Sequence, residues 1–366
     1  MNEEFILESY LSDGVESIIK GAIKATLTNP KESIFMAKYA LASKKASSIR
    51  QKSEQRGEHI PPFLIASITS KCNLHCTGCY SRSNNSCHDD LAGDQLTDEE
   101  WLRIFDEARN LGIGFIILAG GEPMMRPDII KAAAQIQDVL FPIFTNGTMF
   151  NEGYLNFISK YCNLIPVLSI EGNEDITDSR RGVGVYNILI NTMDNLQKNK
   201  ILYGASITVT KENINSVISE EFLDKLFDRG CKVIFFVEYV PVENTTEDLA
   251  PQEAEREFLN MKLSKLRKKY EEMIFISFPG DEKSSGGCLA AGRGFFHINS
   301  NGGAEPCPFS PYSDTNLRNV SLKEALNSPL FKKLQDGSVL IEEHDGGCVL
   351  FEKRETVQEL LYSTDI

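Results

Sequence analysis

Three cysteines on one short segment are the residues of this sequence that most clearly predict chemistry. Cys72, Cys76 and Cys79 lie within eight residues, directly after an apolar run. Three thiolates can bind one side of a compact soft-metal centre, which suits an iron–sulfur cluster or zinc. Structural zinc normally takes four ligands, and His75 or Cys87 could supply the fourth. The spacing therefore favours an iron–sulfur cluster and leaves zinc open, with Cys87 otherwise expected to line the site.

A second set of cysteines, Cys288, Cys307 and Cys348, is spread along the C-terminal part of the chain. Nine cysteines in 366 residues are too sparse for a disulfide scaffold. In a reducing compartment, grouped cysteines are more often metal ligands or catalysts than disulfide partners. Cys162 and Cys231 show no ligand spacing, and we expect them to pack in the core.

From residue 63 onward, short apolar runs alternate with amphipathic segments, and these elements must position the cysteines. The alternation predicts an α/β fold with parallel strands and right-handed crossovers. Ligands of such a sheet gather at the C-terminal ends of its strands, whether the sheet is open or curled into a partial barrel. The predicted strands are Phe63–Thr69, Gly114–Gly120, Phe141–Asn146, Pro166–Glu171, Gly204–Thr210 and Val233–Pro241. The predicted helices lie at about 98–111, 128–139, 152–161, 186–199, 216–229 and 251–272.

The two flanks differ from this core. Residues from about 14 to 56 show helical periodicity between Lys-rich faces, and Pro30 is expected to divide them into two helices. Both a helical cap on the core and an amphipathic surface helix that docks a membrane or a partner fit this pattern. Gly- and Ser-rich turns later introduce a predicted hairpin and a helix near 321–335. The predicted parts are an N-terminal helical extension (1–60), a core (61–275) and a small C-terminal domain (276–366).

Composition and charge exclude several classes of function. The net charge of −14 gives no electrostatic footprint for nucleic acid and would repel an anionic bilayer, although local basic patches remain possible. No run reaches the roughly 18 apolar residues of a membrane span, and the N-terminus lacks the pattern of a secretory signal. We therefore expect a cytoplasmic protein with no transmembrane segment.

The first cysteine segment resembles the signature of the radical SAM superfamily, because its C-x3-C-x2-C spacing is followed by the aromatic Tyr80. One strand later, Gly120-Gly121-Glu122-Pro123 matches the GGEP motif, which in that family meets the methionyl amine of the cofactor. The resemblance covers roughly residues 63–241 and implies a partial (β/α)6 barrel of parallel strands. It also implies that the three cysteines bind a [4Fe–4S] cluster whose open iron chelates S-adenosylmethionine.

Further positions resemble cofactor-binding segments of that family. Arg181 occupies the place of an arginine that pairs with the cofactor carboxylate, which a guanidinium fork suits, whereas Arg180 is interpreted as a surface charge. The other implied contacts are Asn146 after the third strand, Ser169 and Glu171 at the end of the fourth strand, and Asn213 near the ribose.

The resemblance also implies an activity. Reductive cleavage of S-adenosylmethionine would release a 5′-deoxyadenosyl radical that abstracts a hydrogen atom from a peptide or a small-molecule biosynthetic substrate, in oxidoreductase or transferase-type chemistry. A low-potential flavodoxin or ferredoxin is the expected electron donor, under anaerobic conditions. The alternative is a non-catalytic iron–sulfur or zinc-binding protein that senses redox state or acts as a scaffold.

The C-terminal cysteines resemble the SPASM or shorter twitch extensions of this superfamily. Cys288 is followed by a predicted hairpin and a Pro-Cys-Pro run at Cys307, and Cys348 follows two glycines. A full SPASM domain has more cysteines, so the resemblance implies one auxiliary [4Fe–4S] cluster with an open site. Buried cysteines without a metal are the alternative.

Glu238 is a candidate that comes from periodicity rather than from the family. It is a carboxylate near the end of an otherwise apolar strand, and because burial of an unpaired charge is costly, we expect it to have a partner. A structural salt bridge and a catalytic role in substrate binding or proton transfer are both open. The histidines show no ligand spacing, and His344, close to Cys348, is the one that merits attention.

Overall fold

The computed structural model describes residues 7–27, 29–90, 93–242, 244–281, 286–341 and 348–363. Within these residues the core is a nine-stranded sheet. Its parallel strands are β1 (Phe63–Thr69), β2 (Phe115–Gly120), β3 (Phe141–Thr145), β4 (Leu164–Ser169), β5 (Gly204–Val209), β6 (Val233–Glu238) and β7 (Ile274–Phe278). A short hairpin of β8 (His297–Ile298) and β9 (Ala304–Glu305) completes the order β7-β6-β5-β4-β3-β2-β1-β8-β9.

All six predicted strands are confirmed, and the α/β class with parallel strands is correct. The prediction of six strands was nevertheless one short, because β7 pairs in parallel with β6. Its five residues follow a long helix and are too few to show a period of their own. β7 also spans the predicted boundary at residue 275, so the sheet continues beyond it.

Helices cover one face of the sheet. The helices of the core are α3 (Tyr80–Ser83), α4 (Asp98–Leu111), α5 (Pro127–Ala134), α6 (Glu152–Ile158), α7 (Glu174–Arg181), α8 (Val185–Lys198), α9 (Ile214–Val217), α10 (Glu220–Asp228) and α11 (Glu253–Lys269), of which α3 lies on the cysteine loop. The single helix predicted over 216–229 is wrong: Ser219 accepts a hydrogen bond from the Phe222 amide and begins α10 as a separate helix. The sequence prediction also missed α7.

The two faces of β1 show how the sheet is curled. Leu64, Ala66 and Ile68 are fully buried under the helices, so the alternate residues of the strand face the concave inner side. β1 pairs with β2 and β8 and not with β7, so the sheet is an open, partial barrel. On the inner side the Phe295 ring lies 5.1 Å from that of Phe63 on β1 and 5.5 Å from that of Phe278 on β7. Aromatic contacts thus bridge the gap between the first and last parallel strands.

Two N-terminal helices, α1 (Leu7–Ala25) and α2 (Pro30–Glu54), form a helical cap over the N-terminal ends of the strands. Pro30 opens α2, as predicted, because a first-turn proline loses no helical hydrogen bond. The Tyr39 hydroxyl donates to the Gly114 carbonyl just before β2 (2.8 Å), and the Glu32 carboxylate accepts from the Leu202 amide before β5 (2.6 Å). These buried contacts confirm the predicted helical cap.

The C-terminal residues pack beside β1. The predicted hairpin is confirmed, and its strand β8 continues the core sheet through parallel pairing with β1. The helix predicted over 321–335 is two helices, because Pro329 begins a new one after the Ser328 cap. The helices are α12 (Leu322–Leu326), α13 (Pro329–Asp336), α14 (Val349–Glu352) and α15 (Arg354–Tyr362). Across the part of the chain that the structure describes, no helix has the length and apolar character needed to cross a membrane.

Candidate functional site

The first cysteine group lies on the loop that follows β1, at the C-terminal edge of the sheet. Cys72, Cys76 and Cys79 are all half-buried and unpaired by disulfides. The Cys72 amide donates to the carbonyl of His88 (3.0 Å), while Arg82 donates to the carbonyl of Leu74 (2.8 Å). The loop is thus folded back on its own backbone, which holds the three thiols on one short turn.

The thiols of this loop interact electrostatically. A hydrogen bond with Cys87 lowers the pKa of Cys72 to about 6, which favours its thiolate at neutral pH. Burial raises the pKa of Cys76, and the neighbouring thiols add to this, while the Arg181 guanidinium opposes it. One guanidinium nitrogen of Arg181 lies 3.9 Å from the Cys76 sulfur. Cys87 is buried against the loop, in agreement with the expectation that it lines the site.

The first cysteine group offers three soft donors, a set that both zinc and iron–sulfur clusters take. Sulfur ligands of one zinc ion lie about 2.3 Å from the metal and so within about 4 Å of one another. Among the residues that the structure describes, no three His, Cys, Asp or Glu side chains form a group that could hold one metal ion. Ligands of a multi-iron cluster bind different iron atoms and are more widely spaced, and three soft thiolates on one loop are the donors that such a cluster needs.

The GGEP turn after β2 packs directly on the cysteine loop. The Gly121 amide donates to the Thr69 carbonyl and the Glu122 amide to the Lys71 carbonyl, both at 2.8 Å. A Cβ atom on Gly120 would lie well inside 3.0 Å of the Thr69 carbonyl oxygen, and one on Gly121 would do the same to that of Lys71. Both glycines are therefore required by the close approach of two backbones.

Glu122 joins this turn to the end of β3. Its buried carboxylate accepts hydrogen bonds from the Met124 amide (3.0 Å), the Thr145 hydroxyl (2.6 Å) and the Asn146 amide (2.7 Å). Burial nevertheless raises its pKa to about 7. The Asn146 side chain in turn donates to Asn73, on the cysteine loop (2.8 Å). Two predicted cofactor-binding residues thus brace the loop.

Glu171, beyond β4, is a fully buried carboxylate that two arginines hold. Arg180 donates to its Oε1 atom at 2.6 Å, and Arg181 donates to the same atom at 2.5 and 2.9 Å. Burial alone would raise the pKa of Glu171, but the two guanidinium groups outweigh it and lower the pKa. Arg180 is only 18% exposed, so its interpretation as a surface charge is wrong.

The two remaining predicted contacts lie beside this ion pair. Asn213 donates to the carbonyls of Glu171 (3.1 Å) and Thr208 (2.9 Å), and its own oxygen accepts from the Thr210 amide (2.8 Å). Its side chain therefore braces the ends of β4 and β5. Ser169 ends β4 and is half-buried.

The C-terminal cysteines come together although they are distant in sequence. The Cys307 thiol is 2% exposed, and its pKa is raised by burial first, then by a hydrogen bond with Cys348 and by Cys288. The Cys288 amide donates to the Leu340 carbonyl (2.8 Å), while Cys348 begins α14. His344 and the two glycines before Cys348 lie outside the described residues.

An aromatic pair links the two cysteine groups. The Tyr80 ring, next to Cys79, makes an edge contact with Phe309 at a centroid distance of 4.9 Å. Phe309 lies two residues after Cys307. The short helix α3, which Tyr80 begins, is therefore in contact with the segment that carries Cys307.

The sequence prediction missed a buried line of polar residues on the inner face. His297 Nε2 lies 2.7 Å from the Ser67 hydroxyl, and His297 Nδ1 lies 2.7 Å from the Glu305 carboxylate. Asn299 donates to the other oxygen of Glu305 at 2.5 Å. A carboxylate beside one ring nitrogen fixes the tautomer and leaves the other for the serine. The available signal was the Asn-Ser-Asn-Gly-Gly turn, which places His297 opposite Glu305 in the hairpin.

Glu238 has the partner that its burial predicted. Arg256 of α11 donates to its Oε1 atom from two nitrogens, at 2.6 and 2.8 Å. Glu238 lies on the same side of β6 as Ile234 and Phe236, which are buried under the helices. This contact agrees with the structural salt bridge, and the catalytic role stays a prediction.

Comparison with known proteins finds a family that is similar to part of the core. A family model described as the radical SAM superfamily matches residues 66–219. The AdoMet-dependent heme synthase of Methanosarcina barkeri is 28% identical over 318 residues, which are 80% of this chain and 88% of that protein. The sporulation killing factor maturation protein SkfB of Bacillus subtilis is 23% identical over 68% of this chain and 60% of its own length.

A solved structure shares the fold. SuiB from Streptococcus suis, bound to its precursor peptide SuiA, superposes with a TM-score of 0.66 at 19% identity, covering 85% of this chain and 73% of SuiB. At this identity the likeness concerns the fold. It agrees with the curled parallel sheet and its helical layer.

Proposed function

We propose that this chain is a radical SAM enzyme and that Cys72, Cys76 and Cys79 hold its [4Fe–4S] cluster. The observation that carries the proposal is the gathering of three thiols on one loop at the C-terminal edge of the sheet. When bound, such a cluster leaves one iron open to S-adenosylmethionine and supplies the electron for its reductive cleavage.

The surrounding residues of this chain position that chemistry. The Arg181 guanidinium beside the Cys76 sulfur offsets the negative charge of the thiolates. The GGEP turn and the Asn146 amide hold the loop from the adjacent strands, so the thiols are placed before the cluster binds. Tyr80 and Phe309 pack against each other on the side toward the C-terminal cysteines.

We propose the binding residues for S-adenosylmethionine on the same edge. Ser169 ends a neighbouring strand, and Arg181 is held in place by Glu171, so both can be oriented toward a carboxylate. Two guanidinium nitrogens of Arg181 already donate to Glu171, so Arg181 would have to bind Glu171 and the cofactor carboxylate at the same time. The other proposed cofactor-binding residues are Tyr80, Gly120, Gly121, Glu122, Pro123, Asn146 and Asn213.

We further propose a three-part organisation over 1–60, 61–275 and 276–366, in which the last part holds an auxiliary [4Fe–4S] cluster. Cys288, Cys307 and Cys348 would be its ligands, in a SPASM- or twitch-like extension. The mutual hydrogen bond and electrostatic coupling of these thiols support the proposal, because they meet from three separate segments.

For the substrate we favour a small-molecule biosynthetic intermediate, and an iron tetrapyrrole is the first candidate. The heme synthase of M. barkeri is similar along most of its length. In residues 7–27 and 29–60 the structure has helices and no strand that could pair with a peptide. A peptide is the second candidate, because SuiB, whose structure contains a precursor peptide, shares the fold.

The inner face offers a group for proton transfer to or from the substrate. Ser67 and His297 form a hydrogen-bonded pair there, oriented by Glu305. Glu238 is the second candidate for a catalytic role. A low-potential flavodoxin or ferredoxin in the cytoplasm would supply electrons, because an open iron–sulfur cluster needs a reducing environment.

The test is turnover under anaerobic conditions. Protein reconstituted with iron and sulfide, reduced with dithionite and given S-adenosylmethionine should form 5′-deoxyadenosine and methionine. Deuterium-labelled tetrapyrrole and peptide substrates should then distinguish the substrate classes by transfer of deuterium into 5′-deoxyadenosine. Protein that carries the cluster yet forms no 5′-deoxyadenosine would refute the proposal.

A further inference from the structure

One side of α2 exposes a pattern that the proposed function does not use. Lys31, Lys38, Lys45 and Lys52 recur every seven residues and are all exposed, so they follow one side of the helix. Ile34 and Leu41 are also seven residues apart, and each lies three residues after one of these lysines. These two aliphatic side chains are 59% and 71% exposed, although the opposite side of α2 is packed against the core.

Three of the four lysines on this basic face of α2, defined by these six residues, lack an acidic partner. Lys38, Lys45 and Lys52 form no ion pair with any residue that the structure describes, while Lys31 donates to the Ser159 carbonyl and interacts electrostatically with Glu32. The acidic residues of the helix lie elsewhere: Glu32 is buried against the Leu202 amide, and Glu54 at the helix end pairs with His59. The face is positive in a chain whose net charge is −14.

We propose that the basic face of α2 docks the enzyme on an anionic lipid surface. Each feature has its counterpart in such a surface: lysines meet lipid phosphates and carboxylates, and the aliphatic side chains enter the acyl boundary. The net negative charge does not prevent this, since charges more than about 8–10 Å away are largely screened at physiological salt.

The position of α2 argues against a docking site for the electron donor. The helix packs over the N-terminal ends of the strands, through Tyr39 and Gly114. The cysteine loop lies at the C-terminal ends, on the far side of the sheet. A donor at α2 would be separated from the cluster by the whole length of the strands. If a membrane binds at α2, the cysteine loop at the C-terminal ends of the strands still faces the solvent. Docking would therefore tether the enzyme to the membrane and would not deliver substrate from the bilayer.

Vesicle binding tests this proposal with the full-length holoenzyme. Sedimentation with vesicles of phosphatidylcholine containing 30% phosphatidylserine is compared with phosphatidylcholine alone. We expect binding to the anionic vesicles only, and at least a tenfold loss of it for the double variant Lys38→Gln/Lys45→Gln, at about one kcal/mol for each lysine near the surface. The double variant Ile34→Ser/Leu41→Ser should weaken binding severalfold.

Matched controls come from other exposed positions. Met261 on α11 and Lys332 on α13 are exposed on other helices, so Met261→Ser and Lys332→Gln should bind as the parent does. All variants lie on the surface and should keep their melting temperature. Equal binding to both vesicle types, no binding to either, or no loss in the two α2 variants would each overturn the proposal. Binding to an acidic protein or to DNA without vesicle binding would overturn it as well.

Discussion

The two cysteine groups each bring three thiols together, but the chain assembles them in different ways. Cys72, Cys76 and Cys79 sit on one loop after β1, and the backbone of that loop alone brings them together. The C-terminal cysteines come from three segments that are distant in sequence and meet through tertiary contacts, such as that of the Cys288 amide with the Leu340 carbonyl. The spacing of its residues alone predicts the first site, whereas the second is predicted only from a family resemblance and its assembly is visible only in the fold.

Their electrostatic surroundings differ as well. The first group has the Arg181 guanidinium 3.9 Å from the Cys76 sulfur, and the pKa of Cys72 is lowered to about 6. At the second group, burial and the neighbouring thiols raise the pKa of Cys307. The first group therefore contains one thiol, Cys72, that favours the thiolate before metal binds, while Cys76 in that group and Cys307 in the second depend on the metal to ionise.

The largest effect is expected from a substitution that disrupts only the first cysteine group. Cys76→Ala removes one ligand of the proposed cluster and should abolish formation of 5′-deoxyadenosine in the anaerobic assay, because the remaining two thiolates cannot hold the cluster open to the cofactor. Cys162→Ala, a half-buried cysteine outside both groups, is the control and should retain full activity. Substantial turnover by the Cys76 variant would refute the assignment.

The second group should be separable from the first. Cys307→Ala is expected to lower bound iron and sulfide by about half, because one of two four-iron clusters is lost, while uncoupled 5′-deoxyadenosine formation continues. Iron and sulfide analysis with the deoxyadenosine assay measures both quantities on one sample. An unchanged iron content would show that the C-terminal cysteines are buried residues without a metal.

A backbone substitution tests what positions the first group. Gly121→Ala places a Cβ atom against the Lys71 carbonyl, which a rotamer change cannot relieve, so we expect a loss of about 3 kcal/mol in unfolding free energy. Gly14→Ala is the matched control, since nothing lies within 4 Å of its Cβ position on α1. That substitution should be neutral or stabilise the helix by up to about 1 kcal/mol. Equal stability of both variants in urea titrations would contradict the close approach.

Thiol reactivity gives the finest contrast between the groups. In the cluster-free protein, alkylation of Cys72 by iodoacetamide should rise with pH and reach half its maximum near pH 6, because the thiolate forms above its pKa. Cys307 should react at least tenfold more slowly at pH 7, since its pKa is raised and its side chain is buried. Peptide mass spectrometry measures both rates. Similar rates would remove the proposed electrostatic difference.

What the sequence could predict follows the same division. The six strands, the Pro30 break, the cysteine loop and the GGEP turn depend on local spacing and period, and the structure contains all of them. The ion pairs of Arg180 and Arg181 with Glu171 depend on how α7 packs beside the end of β4, and residue spacing does not encode this packing. The line from Ser67 to His297 joins residues 230 apart in sequence and needs the parallel pairing of β1 with β8.

The central claim is that the loop after β1 presents three sulfur ligands and one open metal position. Electron paramagnetic resonance of the dithionite-reduced Cys307→Ala variant, with and without S-adenosylmethionine, tests it most directly. We expect the signal of one four-iron cluster, whose g values shift when S-adenosylmethionine is added. A sample that contains zinc in place of iron, or an iron–sulfur signal that S-adenosylmethionine leaves unchanged, would contradict the account.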